Sequence, residues 1–173
     1  MRTRLASTGD AEAMRTIYNV EVTTSTTTFD LVPRTPDQQL AWLDRHRGAH
    51  PAVVAVAEPG TVAGVTGEGG EVVLGFGSLS PFHSRPAYST SVENSVYVDR
   101  AQRRQGVGLA VLNELVALAR VHGFHTVIAR IVGSNEGSIA LHRACGFELV
   151  GVEREIGRKH RQWLDVVELQ LML

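Results

Sequence analysis

Apolar positions along this chain recur with two periods, and the switches between them mark out the elements. In AEAMRTIYNVEV the spacing of Met14, Ile17, Tyr18 and Val22 predicts a helix with Asp10 as its cap. A threonine-rich loop, TTSTTTFDLVP, follows. Thr35-Pro36-Asp37-Gln38 is a capping box with proline at the first helical position, opening a helix to about Arg47. PAVVAVAE and EVVLGFGSL are valine-rich and predict two strands of a hairpin. Their long glycine-rich connection, Pro59 to Gly70, is expected to be a mobile surface turn with no phosphate role, because no helix follows it.

The second half alternates strand and helix. TSVENSVYV predicts a strand ending at Asp99. From Gly106 to His122, Val107, Val111, Leu112, Leu115, Val116 and Ala119 make the stripe of an amphipathic helix that Gly123 stops. HTVIARIV is a strand, and NEGSIALHRACGF a short helix capped by Asn135 and ended by Gly146. FELVGVERE and LDVVELQLML are two closing strands. Hairpins at both ends and helical connections between strands in the second half predict an α/β fold: a mixed sheet with helices on its faces.

Composition narrows the function classes. The 173 residues are enough for one good core, so one domain, 1–173, is expected, with no internal repeat. Seventeen basic and 18 acidic residues nearly cancel, which disfavours a nucleic-acid or membrane partner and makes any anion site local. No apolar run approaches the roughly 18 residues of a membrane span, and MRTRLASTGD is too polar for a signal peptide, so a cytoplasmic protein is expected. The single cysteine, Cys145, is expected to pack rather than react. No His/Cys/Asp cluster has metal-ligand spacing, so no metal is expected.

RRQGVGLAVL, Arg103 to Leu112, lies between a predicted strand and a predicted helix. A helix start offers unpaired N–H groups and a partial positive charge. Gly106 and Gly108 remove side chains that would block an anion's approach, while Arg103 and Arg104 supply guanidinium groups that suit phosphate oxygens. The pattern Arg-x-x-Gly-x-Gly is neither a P-loop nor a dinucleotide fingerprint, since it lacks the Gly-Lys-Ser/Thr of the first and the third glycine of the second.

This loop resembles the pyrophosphate loop of the GNAT N-acetyltransferases. The likeness extends through IYNVEVTTSTTTFDLVPRTPDQQLAWL, GFGSLSPFHSRPAYSTSVENSVYV, NEGSIALHRACGFELVG and REIGRKHRQWLDVVELQL. Over nearly the whole chain it is similar to the phosphinothricin acetyltransferase group, which includes methionine sulfone and sulfoximine acetyltransferases. The resemblance implies the acyl-CoA N-acyltransferase fold, about seven strands with four helices on both faces, and acetyl-CoA as the donor. It implies that the backbone of Val96, Tyr97 and Val98 pairs with pantetheine as an added strand would. The Val98 N–H would donate to the thioester oxygen, and Arg103, Arg104, Gln105, Gly106, Val107 and Gly108 would hold the pyrophosphate. Asn135, by its pattern an N-cap, and Ser138 would contact the pantetheine arm.

Transfer of an acetyl group to an amine needs a neutral amine, a polarised carbonyl and a proton for the leaving thiolate. Glu93 is by alternation either a solvated strand charge or a cleft residue, and His142 either a helix-surface histidine or a group able to act as acid or base near neutral pH. By resemblance the two form the catalytic pair, with the division of proton work open. The stretch SRPAYST reads as an ordinary loop or, by resemblance, as acceptor-binding: Arg85, Tyr88, Thr90, Glu93, Asn94 and Ser95 would line the acceptor cleft, with Phe29 as an apolar wall. Lys159 and Trp163 match a motif near the subunit contact and acceptor mouth, so a homodimer is expected. The implied acceptor is a small amino acid analogue. The alternatives are another small amine, a peptide terminus, or a CoA-binding module without turnover, which the presence of both Glu93 and His142 disfavours.

Overall fold

The computed structural model describes residues 1–61 and 70–173. Most of the glycine-rich connection therefore lies outside the described residues. Seven strands form one mixed sheet: β1 (Arg2–Leu5), β2 (Ala52–Ala57), β3 (Val72–Pro81), β4 (Ser91–Val98), β5 (Thr126–Val132), β6 (Glu148–Lys159) and β7 (Gln162–Met172), in the order β1-β2-β3-β4-β5-β7-β6. All neighbours are antiparallel except β4 and β5. The helices are α1 (Ala11–Thr24), α2 (Pro36–Arg45), α3 (Val107–Val121) and α4 (Glu136–Ala144).

Strand β2 shows why both faces carry helices. Val53, Ala55 and Ala57 pack with α3 residues such as Val111, Leu112 and Leu115, while Ala52, Val54 and Val56 pack with Met14, Ile17, Tyr18 and Leu43 of α1 and α2. A strand buried on both faces loses the apolar/polar alternation and reads as a continuous apolar run. Each of the larger buried side chains here contributes roughly 1.5–3 kcal/mol by leaving water. Helix α3 lies close on β3 because Gly77 has no side chain. A methyl there would stand 2.7 Å from both the Ser95 carbonyl oxygen and a Val111 methyl.

Helix α2 starts as expected, with Thr35 Oγ1 accepting from the Gln38 N–H and Gln38 Oε1 accepting from the Thr35 N–H. Asp10 departs from expectation. It stands at the helix start but makes no capping bond to α1. Its carboxylate instead accepts from Arg4, the Ser7 N–H and the Ser7 hydroxyl, which ties β1 to the first turn. Strand β1 itself was not predicted, because four residues with three of them polar carry too little pattern.

Candidate active site

The site begins where the one parallel pairing among the described residues ends. β4 and β5 are paired from Ser91↔Thr126 to Glu93↔Ile128 and then diverge, so the β5-facing edge of residues 94–98 is left without a strand partner. The opening is a cavity of about 410 Å³. One wall is β4 from Asn94 to Val98, the other is Ala129, Arg130 and Ile131 of β5. The far end is closed by Arg103, Arg104 and the start of α3, and the floor by Asn135, Ser138, Leu141 and His142.

The anion end is built from backbone. Gly106 precedes α3 with φ +82°, a conformation that disfavours any other residue, and Arg104 also has a positive φ of 64°. A non-glycine residue held there costs about 1–2 kcal/mol, and such strain concentrates at functional sites. The Gly106 carbonyl is already bonded to the Ala110 N–H, so the N–H groups of Val107, Gly108 and Leu109 are those a helix start leaves free. All three residues line the cavity. Open space surrounds the position of a Gly106 side chain, whereas a methyl at Gly108 would stand 3.1 Å from a Leu141 methyl. Gln105 stands apart: it is exposed, it does not line the cavity, and its amide donates to the Ala101 carbonyl.

Arg103 has a partner that sequence reasoning missed. Its guanidinium is 2.8 Å from Glu21, a buried carboxylate on α1 that also accepts from Arg100. Burial alone would raise the Glu21 pKa, but the bonds from Arg100 and Ser25, with the charge of Arg103, bring it down to about 2. Glu21 reads in sequence as one more polar position of α1, because its partners lie 79 and 82 residues away.

Side chains of β4 alternate between two environments. Val92, Asn94, Val96 and Val98 face α3 and α4, whereas Glu93, Ser95 and Tyr97 face the side of α1 and α2. Tyr97 stacks on Phe76 and meets Tyr18 edge-on, so it offers only its backbone to the cavity. Asn94 donates from its amide nitrogen to His142 Nε2 at 2.8 Å, and its Oδ1 is buried with no partner. His142 Nδ1 lies 2.8 Å from the Ser138 carbonyl, which can only accept, so Nδ1 carries the proton and Nε2 accepts. Burial lowers the His142 pKa, against the opposing effect of the Ser138 bond, and keeps the ring neutral. Asn135 caps α4 through Oδ1, which accepts from the Ser138 N–H, and also lines the cavity.

The structure does not bring Glu93 against His142. They belong to opposite faces of the sheet, and of the two only His142 lines the cavity. Burial raises the Glu93 pKa, Arg130 and His83 lower it, and Glu168 and Glu153 raise it. Arg85, Tyr88 and Thr90 are exposed in the segment between β3 and β4, where Tyr88 joins an aromatic group with Phe82 and His83. Phe29 rests its ring on Gly157, where a methyl would be 2.5 Å away, so the threonine-rich loop is laid on β6. Lys159 holds the same loop from beneath, buried and donating to the Thr28 carbonyl at 2.8 Å. Trp163 is exposed, with Arg158 over its ring. Cys145 is half-buried, and burial raises its pKa, which keeps it a thiol. Among the described residues no group of three or more His, Cys, Asp or Glu could hold a metal ion, and no helix is long and apolar enough to cross a membrane.

A strand pair that splays at a glycine-rich helix start calls for comparison with acyl-CoA enzymes. The family model described as the acetyltransferase (GNAT) family matches residues 14–147. This chain belongs to the GNAT acetyltransferases. The L-methionine sulfoximine/L-methionine sulfone acetyltransferase of Pseudomonas paraeruginosa is 34% identical over 98% of this chain and 93% of its own length. The phosphinothricin N-acetyltransferase of Streptomyces coelicolor is 34% identical over 91% and 87%. Among solved structures, a GNAT phosphinothricin acetyltransferase from Sinorhizobium meliloti, in complex with acetyl-CoA, superposes with a TM-score of 0.86 at 34% identity, covering 99% of this chain and 87% of that one. The GNAT chain described here is thus an N-acetyltransferase of the phosphinothricin and methionine sulfoximine type in sequence and fold.

Proposed function

We propose that this GNAT enzyme acetylates the α-amino group of a small amino acid or amino acid analogue from acetyl-CoA, with methionine sulfone, methionine sulfoximine and phosphinothricin as the first candidates. The observation that carries the reading is the splayed β4–β5 opening that ends on the free N–H groups of α3. The residues present fit the donor. The unpaired edge at Val96–Val98 suits the amides of pantetheine, the α3 start and Arg104 suit the pyrophosphate, and Asn135 and Ser138 flank the arm. Bound there, acetyl-CoA would supply a thioester to the amine nitrogen, with coenzyme A leaving as its thiolate.

In this reading Glu93 takes the proton that the amine loses. Its surroundings keep its basicity above that of an ordinary carboxylate, which suits that work. His142 serves the donor side: with its proton committed to Ser138, it fixes the Asn94 amide rather than offering a proton to the cavity. Phe29, Arg85 and Tyr88 are exposed and lie outside the lining of the cavity, so their part in this reading, an apolar wall and donors to an oxygen-bearing side-chain head, rests on the family resemblance. Strand β6, an edge strand with Val150, Val152 and Ile156 exposed, together with exposed Trp163, supports a homodimer. The near-zero net charge supports a small-molecule acceptor over a nucleic acid, and a cytoplasmic location is part of the same reading.

The test is thiol release from acetyl-CoA against a panel of amino acids, their sulfone, sulfoximine and phosphinate analogues, simple amines and peptides. The analogues are expected to lead in kcat/KM. A peptide leading the panel would replace this reading with peptide-terminus acetylation.

A further inference from the structure

Arg130 is out of place in its strand. In TVIARIV every other residue is buried, yet this mid-strand position holds a guanidinium that is about one-third exposed and lines the cavity. It lies two residues beyond Ile128, the pairing partner of Glu93, so it projects on the same face of the sheet as Glu93. About 7 Å of strand rise separates the two levels, and between them β4 and β5 part.

Two carboxylates bracket Arg130 from the other side. Glu168 is its direct cross-strand neighbour on β7, and Glu153 of β6 accepts from its Nη2. Among the described residues, Nε and Nη1 have no bonded partner. The Glu153 bond therefore fixes the side chain but leaves most of the donor fork open. A planar fork with open donors is suited to bidentate recognition of a carboxylate.

We propose that Arg130 is the residue that reads the α-carboxylate of the acceptor, holding a free amino acid so that its α-nitrogen meets Glu93. The inference rests on the acetyltransferase reading above and narrows its substrate to free amino acids. A base and a guanidinium on one face of the sheet, where β4 and β5 part, match the two ends of a zwitterion. A simple amine would engage the first and leave the second with only its carboxylate neighbours. Glu153 is a positioning residue: it acts by holding Arg130.

The experiment compares L-methionine, L-methionine sulfone, L-methionine sulfoximine and phosphinothricin, each as the free acid and as its α-carboxamide, in wild-type enzyme and in Arg130→Met and Arg130→Lys. The wild type is expected to prefer acids over amides by at least about tenfold in kcat/KM. Arg130→Met should raise KM for the acids by a similar factor, leave the amides nearly unchanged and so erase the preference. Arg130→Lys should restore part of it. Acetyl-CoA affinity should change little in either variant. An ion pair that only supports the fold would weaken acids and amides alike, and that outcome overturns the inference. Equal use of acid and amide by the wild type overturns it too, while leaving acetyl transfer intact. No turnover of any amine would overturn the acetyltransferase reading and this inference with it.

Discussion

The two faces of β4 make the instructive comparison. Toward α3 and α4 the opening is built from backbone, glycine and neutral polar groups: the free N–H groups of Val107 to Leu109, Gly106 at positive φ, and a neutral His142 bonded to Asn94. Toward α1 and α2 it is lined by Arg130, around which Glu93, Glu153 and Glu168 gather charge from four strands. Under the proposed function the difference matches what each side would bind: a donor common to the family can be held by main chain, whereas an acceptor that differs between members has to be read by side chains. Substitutions should therefore separate cleanly, one face moving the chemistry and acceptor use, the other donor affinity.

The largest effect is expected at Glu93. Glu93→Gln should lower kcat by about 10² to 10⁴ with acetyl-CoA affinity unchanged, as loss of a base acting in the transition state requires. His142→Ala should cost only about tenfold if its work is to orient Asn94, so equal losses would break the division between the faces. The remaining activity should fall on the acid side as Glu93 protonates, at a pH above the ordinary glutamate range, since burial, Glu168 and Glu153 outweigh Arg130 and His83. Steady-state rates across pH check both.

Next comes the donor face. Gly106→Val forces a β-branched residue into φ +82° and sets a side chain at the mouth of the anion site. It should weaken acetyl-CoA binding by about 10- to 100-fold by calorimetry, equivalent to about 1.4–2.8 kcal/mol, while the acceptor KM stays nearly constant. Unchanged affinity in a folded variant would take the loop out of the donor site.

The effect expected to touch activity least sharpens the boundary between the faces, at Glu21. Its folded pKa of about 2 lies below the ordinary 4.5, so its contribution to stability is complete above the unfolded value and is lost as pH falls from about 5 toward 2. Glu21→Gln should destabilise the protein by roughly 2 kcal/mol at pH 7, allowing for half-exposed arginine partners, and the deficit should shrink toward pH 2. Urea unfolding at the two pH values measures it.

Where periodicity is long the elements were legible: α1, α2, α3, α4 and six strands follow the pattern of apolar positions, and Thr35 and Asn135 cap as their spacing requires. β1 was not, since it is held by its pairing with β2 and by Arg4, not by its own composition. The residues expected to hold the donor between Val96 and Gly108 fall in two short runs, 96–98 and 103–108, close in sequence, and all of them but Gln105 line the cavity. The acceptor side is different. Glu93 is singled out by the family resemblance, its alternation alone leaving it either solvated or in the cleft, whereas Arg130 reads as a stray charge in a buried strand and Glu21 as a surface glutamate.

What the sequence determined by itself was local: which segments are strand or helix, where helices begin, and where glycine lets an anion approach the backbone. These depend on neighbours within a few residues, so they are written contiguously. What only the tertiary structure decided was which charges share a face. β5 and β7 bring Arg130 opposite Glu168, the β4–β5 register sets Glu93 beside that pair, and the strand's period of two sends Asn94 and His142 to the other side. Electrostatic interaction falls with distance in space, not along the chain, so the pairing of strands and the point at which they part fixed the chemistry of the cleft.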